Sequence, residues 1–134
     1  SELVKRESVT VKVTQKIMDS TTKRIEKWRH QTQGEYYQLN SFEKITYEDQ
    51  QGQVVHVKWF PNNENLEIRY GSTRLLFNKE EPTQLAYSTP QGLMVFDVLT
   101  HRISIADNKI SVDYQLLNEN KPIGDYDFRL IYHQ

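Results

Sequence analysis

Apolar and polar residues alternate with a period of two along most of the chain. Val9, Val11 and Val13 alternate with Thr10, Lys12 and Thr14, and Val55, Val57 and Trp59 with His56 and Lys58. Near the end, Tyr126, Phe128, Leu130 and Tyr132 alternate with Asp125, Asp127, Arg129 and His133. Successive side chains of a strand point to opposite faces, so each run predicts a strand with one face in a core and one in water. Leu66, Ile68 and Tyr70 form another such run after the turn-forming Pro61-Asn62-Asn63. Ile103 and Ile105 are separated from Ile110, Val112, Tyr114 and Leu116 by Asp107-Asn108, two short polar residues that tolerate positive φ and predict a tight hairpin. Further strands are expected at 28–32, 35–39, 42–48, 73–77, 83–88 and 93–100. Residues 20–31 read either as a short helix, with Ile25 and Trp28 at helical spacing, or as a strand through Trp28, His30 and Thr32. The strand is preferred, because so short a helix would bury only two apolar side chains.

About ten strands joined by short turns predict an all-β protein, a sandwich or barrel. The succession of hairpins favours a closed or nearly closed antiparallel up-and-down β-barrel of about 8–10 strands, since closure removes exposed edges. Composition permits this. Leu, Ile, Val and Phe make up 35 of 134 residues, above the roughly 20% floor typical of disordered chains. Eight Tyr, five Phe and two Trp add the volume to fill a barrel.

Seventeen Lys and Arg against eighteen Asp and Glu give a net charge of −1. That balance argues against a strongly basic nucleic-acid-binding domain, although a local basic face remains allowed. The absence of cysteine excludes disulfides, zinc–thiolate sites and thiol catalysis. The longest apolar run is Leu93-Met94-Val95-Phe96, far short of the roughly 20 residues a spanning helix needs. The opening Ser1-Glu2-Leu3-Val4-Lys5-Arg6-Glu7 is too charged for a signal peptide. Residues 1–7 are therefore expected to be an N-terminal extension or cloning remnant, residues 8–134 a single barrel domain, and the location cytoplasmic, with no membrane contact.

Several local motifs, in order, resemble the YwiB-like family of bacterial proteins. They are Gly34-Glu35-Tyr36-Tyr37, Ile45-Thr46-Tyr47-Glu48, Ile68-Arg69-Tyr70-Gly71, Tyr87-Ser88-Thr89-Pro90-Gln91-Gly92, the strand ending in Thr100, and Ile110-Ser111-Val112-Asp113-Tyr114. The resemblance runs from about Ser8 to Tyr132. It implies a calycin, lipocalin-like β-barrel, a domain of unknown function, and a bacterial source among the Firmicutes. It implies no activity and no catalytic residues. Leu93, Val95 and Leu99 depart from it, standing where more polar residues are expected.

Motifs that carry chemistry are sparse. No two of His30, His56, His101 and His133 lie within five residues, and none has metal-ligand spacing to a carboxylate. There is no nucleophile elbow, phosphate-cradling loop or dinucleotide fingerprint. Glu48-Asp49 and Glu80-Glu81 fall in turn-like segments and read as solvated charges. No catalytic residue, metal or cofactor is assigned. Arg69 stands out: pointing into the barrel or its mouth, it would need a carboxylate partner such as Glu48 or Glu67, or an anionic ligand. Tyr36, Tyr47, Tyr87, Phe96, Tyr114 and Phe128 fall on strands and, with Arg69, are the candidate ligand-binding residues; Tyr132 belongs to the same inventory. They either wall a pocket or fill the interior completely. On the strand at 93–99, Asp97 marks the outer face, leaving Leu93, Val95 and Leu99 as an outward apolar stripe and a candidate interface.

Two functional classes follow. The first is a non-enzymatic binder of a small apolar or anionic ligand, held in the barrel or at its mouth. The second is an interaction or structural module with a filled barrel, forming a homodimer or partner contact through the outer apolar face. An enzyme ranks third, for want of any supporting constellation.

Overall fold

The computed structural model describes residues 2–61 and 65–134. Its described residues form ten strands and no helix: β1 (Leu3–Asp19), β2 (Ile25–Leu39), β3 (Glu43–Glu48), β4 (Val54–Phe60), β5 (Asn65–Tyr70), β6 (Thr73–Phe77), β7 (Thr83–Thr89), β8 (Gly92–Ala106), β9 (Lys109–Asn118) and β10 (Lys121–His133). All pair antiparallel in one sheet of order β6-β5-β4-β3-β2-β1-β10-β9-β8-β7. The sheet rolls until β6 and β7 meet without forming a ladder, and the Thr83 hydroxyl donates to the Leu76 carbonyl across the seam. The result is a nearly closed up-and-down barrel, consistent with the calycin, lipocalin-like architecture.

The alternation sets this arrangement. Paired residues share a face, so Val11 aligns with Tyr132 and Thr32, Ile45 with Val57, and Val112 with Phe128. Val11, Ile45, Val57, Val98, Ile110 and Leu130 are wholly inaccessible to solvent, so the middle of the barrel is filled by its own side chains. Gly34 of β2 sits on this inner face for a steric reason. A Cβ there would lie 2.5 Å from the Thr46 carbonyl oxygen and 2.9 Å from Val11 Cγ2.

Several expectations change. Residues 3–7 are not an appendage: they open β1 and pair with residues 36–39 of β2. The two short strands expected at 28–32 and 35–39 are one, and residues 20–24 turn between β1 and β2. The runs at 93–100 and 103–105 likewise join in β8, whose register shifts between Thr100 and Arg102. That single-residue irregularity hid the continuity, because it breaks the period of two. Asn108 takes φ 61° in the β8–β9 hairpin, as its residue type predicts. In the expected turn at Pro61-Asn62-Asn63, Asn62 and Asn63 lie outside the described residues.

Candidate functional site: the two mouths of the barrel

Up-and-down order puts alternate turns at opposite ends. One end carries the chain termini and the turns at 40–42, 78–82 and 107–108. The other carries the β1–β2 hairpin and the turns at 49–53, 71–72, 90–91 and 119–120. Each end opens into a cleft.

At the terminal end the cleft measures about 660 Å³ and is lined by Lys5, Glu7, Tyr36, Glu43, Trp59 and Tyr132, among others. Several of its polar groups are engaged with one another. Tyr36 donates its hydroxyl proton to Glu43 Oε1, and Trp59 Nε1–H donates to Glu43 Oε2 at 3.2 Å. Tyr36 stacks on Tyr132 with centroids 5.4 Å apart, and Trp59 lies 6.2 Å from Tyr132. Lys5 pairs with Glu7, which also accepts from the Gln134 amide. Burial, then the hydrogen bond and charge of Glu43, hold the Tyr36 hydroxyl well above its ordinary pKa. Tyr132 is pushed up to about 12 by burial, then by the charges of Glu43 and Asp107.

At the hairpin end the cleft measures about 440 Å³. The β2–β3 ladder stops at Gly34 and Tyr47, while β1 and β2 continue as a pair to Met18 and Ile25. Ile17 and Trp28, which continue the inner face, thus project over the mouth and line the cleft with Val13, Val55, Ile68 and Phe128. Residues 49–53 close its side. Asp49 Oδ1 accepts from the Gln51 and Gln53 backbone amides, both at 2.9 Å. His30 Nε2 donates to the Glu48 carbonyl at 2.8 Å, and the Gln50 amide donates to the Arg29 carbonyl at 3.2 Å. Tyr47 and Tyr70 enter this apolar wall. Neither phenol hydrogen-bonds to a protein group among the described residues. Burial, followed by the charge of Asp49 for Tyr47 and the neighbouring Tyr87 for Tyr70, raises both hydroxyls above their ordinary pKa. Both are therefore neutral near pH 7 and able to donate.

The sequence candidates divide among these surroundings. Tyr47 and Phe128 line the hairpin-end cleft, and Tyr36 lines the terminal one. Tyr114 is core, stacked on Tyr126 at 5.0 Å and tilted against Phe77 at 4.7 Å. Phe96 packs against the core, while Tyr87 aligns with Met94 on β8 and is half exposed. Arg69 is exposed on the outer face, between His56 and Arg74, so the inward placement considered for it is corrected: it does not line the interior. The parity of β5 decides this, because Leu66, Ile68 and Tyr70 take the inner positions. Leu93, Val95 and Leu99 face outward and are 69%, 47% and 36% exposed. Ile17, Trp28 and Tyr70 were not singled out as site residues. Their signal was the continuation of the inward parity beyond the buried stretch. Among the described residues no cluster of three or more His, Asp or Glu is placed to hold a metal ion, and no helix is long and apolar enough to cross a membrane.

A family model described as a domain of unknown function, DUF1934, matches residues 11–130. The chain belongs to this family. Its fold is also that of a solved structure, the ywiB protein from Bacillus subtilis. That structure superposes with a TM-score of 0.70 over 98% of this chain and 96% of that one, at 15% identity. A search of curated proteins gives no match.

Proposed function

We propose that this DUF1934 chain is a non-enzymatic, cytoplasmic binder of a small, largely apolar molecule carrying one oxygen-bearing head group, held in the hairpin-end mouth. The observation that carries this reading is the pair of phenols, Tyr47 and Tyr70, which have no hydrogen-bond partner among the described residues. They line an open cleft with the apolar Val13, Ile17, Trp28, Val55, Ile68 and Phe128 and the polar Gln15, Arg29, His30, Asp49, Gln50, Gln51 and Gln53. A pocket of apolar wall with a few convergent polar groups is the usual form of a small-molecule site. Arg29 lines the cleft, so it rather than Arg69 is the cation an anionic head group would meet, with the Asp49 carboxylate of the same cleft opposing it. In the other mouth the Tyr36 hydroxyl and the Trp59 indole N–H are already taken up by Glu43. The cytoplasmic location rests on the cysteine-free composition and the short apolar runs.

The two tryptophans make the test selective, since Trp28 lines the cleft and Trp59 is 2% exposed at the other end. Calorimetric titration with medium-chain fatty acids and the matching alcohols is expected to show saturable binding. Trp28 emission should shift to the blue, and Tyr47→Phe with Tyr70→Phe should weaken affinity at least tenfold. Binding that is absent, or unchanged in both the double variant and Trp28→Ala, overturns the reading.

The exposed Leu93, Val95 and Leu99 stripe favours a second reading, a homodimer or partner contact through that face. Sedimentation at rising concentration tests the homodimer. A constant monomer removes it.

A further inference from the structure

We infer that the outer face of β3–β6 docks single-stranded nucleic acid. Four cations occupy outward positions there, Lys44, Lys58, Arg69 and Arg74, against two carboxylates, Glu48 and Glu67. Their register is the telling feature. Lys44 lies directly opposite Lys58, and Arg69 directly opposite Arg74. Like charges at opposed positions of an antiparallel pair repel and lower stability. A single carboxylate, Glu67, directly opposite Lys58 on β5, stands between the two pairs. Glu67 takes Arg74 at 2.9 Å, while Arg69 makes no ion pair among the described residues. The field is felt by the His56 imidazole beside them: its pKa is lowered by burial first and then by Arg69 and Lys44, with Glu67 opposing.

Aromatic rings flank two of these cations, Lys44 and Lys58. Lys58 Nζ lies 4.1 Å from the Phe42 ring centroid and 5.2 Å from that of Phe60. Lys44 Nζ is 4.8 Å from the Tyr37 centroid, which the Arg6 guanidinium, itself paired with Glu35 at 3.5 Å, approaches at 5.3 Å from the same strand row. Alternating cations and rings along one face are what single-stranded nucleic acid requires, since bases stack on rings while phosphates take the charges. An arriving base would displace an ammonium from its ring and release it to the adjacent phosphate. A carboxylate-rich peptide would use the cations and leave the rings idle, and so fits the face less well. The near-zero net charge does not oppose this. Asp97, Asp113, Asp125 and Asp127 outnumber Arg102, Lys109 and Arg129 on the outer face of β8–β10, so the basic excess is local to β3–β6.

Fluorescence anisotropy with labelled oligo(U) and oligo(dT) of about 16 nucleotides, at about 50 mM salt and above, tests the proposal. Saturable binding to either oligomer is expected, weakening steeply as salt rises. The double variant Lys58→Ser with Arg69→Ser should bind at least tenfold more weakly. Its log–log salt slope should be shallower by about 1.4, or about 0.7 for each cation that no longer neutralises a phosphate. Arg69→Lys, which keeps the charge, should hold the slope, and Arg129→Ser on the opposite face should bind as the parent does. Both altered positions are on the surface, and a melting midpoint no lower than the parent's confirms folding, since the variant relieves both like-charge pairs. No binding at low salt, an unaltered double variant, or equal affinity for polyglutamate or anionic vesicles overturns the proposal.

Discussion

The two mouths of the barrel are built from the same kinds of residue and end in opposite states. At the terminal end, Tyr36 and Trp59 both donate to Glu43, and three rings pack on one another. At the hairpin end, Tyr47 and Tyr70 find no acceptor, and Trp28 stands 39% exposed over an apolar wall. A buried polar group that finds its partner within the chain contributes to stability; one left facing an open cleft is available to a ligand. Aromatic content therefore does not mark a site. Whether an acceptor of the chain takes up the aromatic side chain's donor does.

The contrast between the ends can be broken most forcefully at the residue that separates them. Gly34→Ala drives a Cβ into the Thr46 carbonyl, and the neighbouring strands must shift. A loss of about 3 kcal/mol in chemical unfolding is expected. Glu43→Ala strips both donors of the terminal mouth of their acceptor. It should lower stability by about 2 kcal/mol and leave binding at the other mouth intact. Alkaline titration discriminates more finely. Phenols whose folded pKa exceeds the ordinary value of about 10 add stability that is complete below that pH and is lost as pH rises through the folded value. The melting midpoint should therefore begin to fall above about pH 10 and still be falling at about pH 12, the value to which Tyr132 is raised, because Tyr36 and Tyr47 are raised further. Phenolate absorbance should lag behind that of free tyrosine over the same interval. The smallest stability effect belongs to Trp28→Ala, about 1 kcal/mol or less because the ring is only half covered. Its effect on ligand affinity should be the larger one, since the ring stands at the open mouth rather than in the packed one.

Much of the fold was legible because a period of two is hard to mistake where Val, Ile and aromatic residues carry it. Val9–Val13, Val55–Trp59 and Tyr126–Tyr132 each show an inner face in the sequence, and the structure buries that face. The pattern failed at the ends of long strands. Residues 3–7 of β1 and the stretch around Trp28 lie beyond the closed part of the barrel, where a polar residue can occupy either face at little cost. The join in β8 was hidden by one irregular residue. The candidate site was legible only in part. Tyr47 and Phe128 announced themselves as strand aromatics, as did Tyr114, which turned out to be core. No local pattern distinguishes an aromatic at a mouth from one at the centre.

Sequence alone determined the all-β class, the number of strands within narrow limits, the parity of most of them and membership of an uncharacterised family. The class, strand number and parity follow from local alternation and turn chemistry, which act over a few residues, while the family follows from the resemblance of a series of motifs in order. Tertiary structure decided how far each strand extends past its neighbour, and so which inward residues are buried and which overhang an opening. It also decided which side chains meet across strands. Arg69 illustrates the point: its outward parity was latent in Leu66, Ile68 and Tyr70, but its position opposite Arg74, beside Lys44 and Lys58, depends on register. Register is a long-range property, set by packing between segments that the chain order keeps apart.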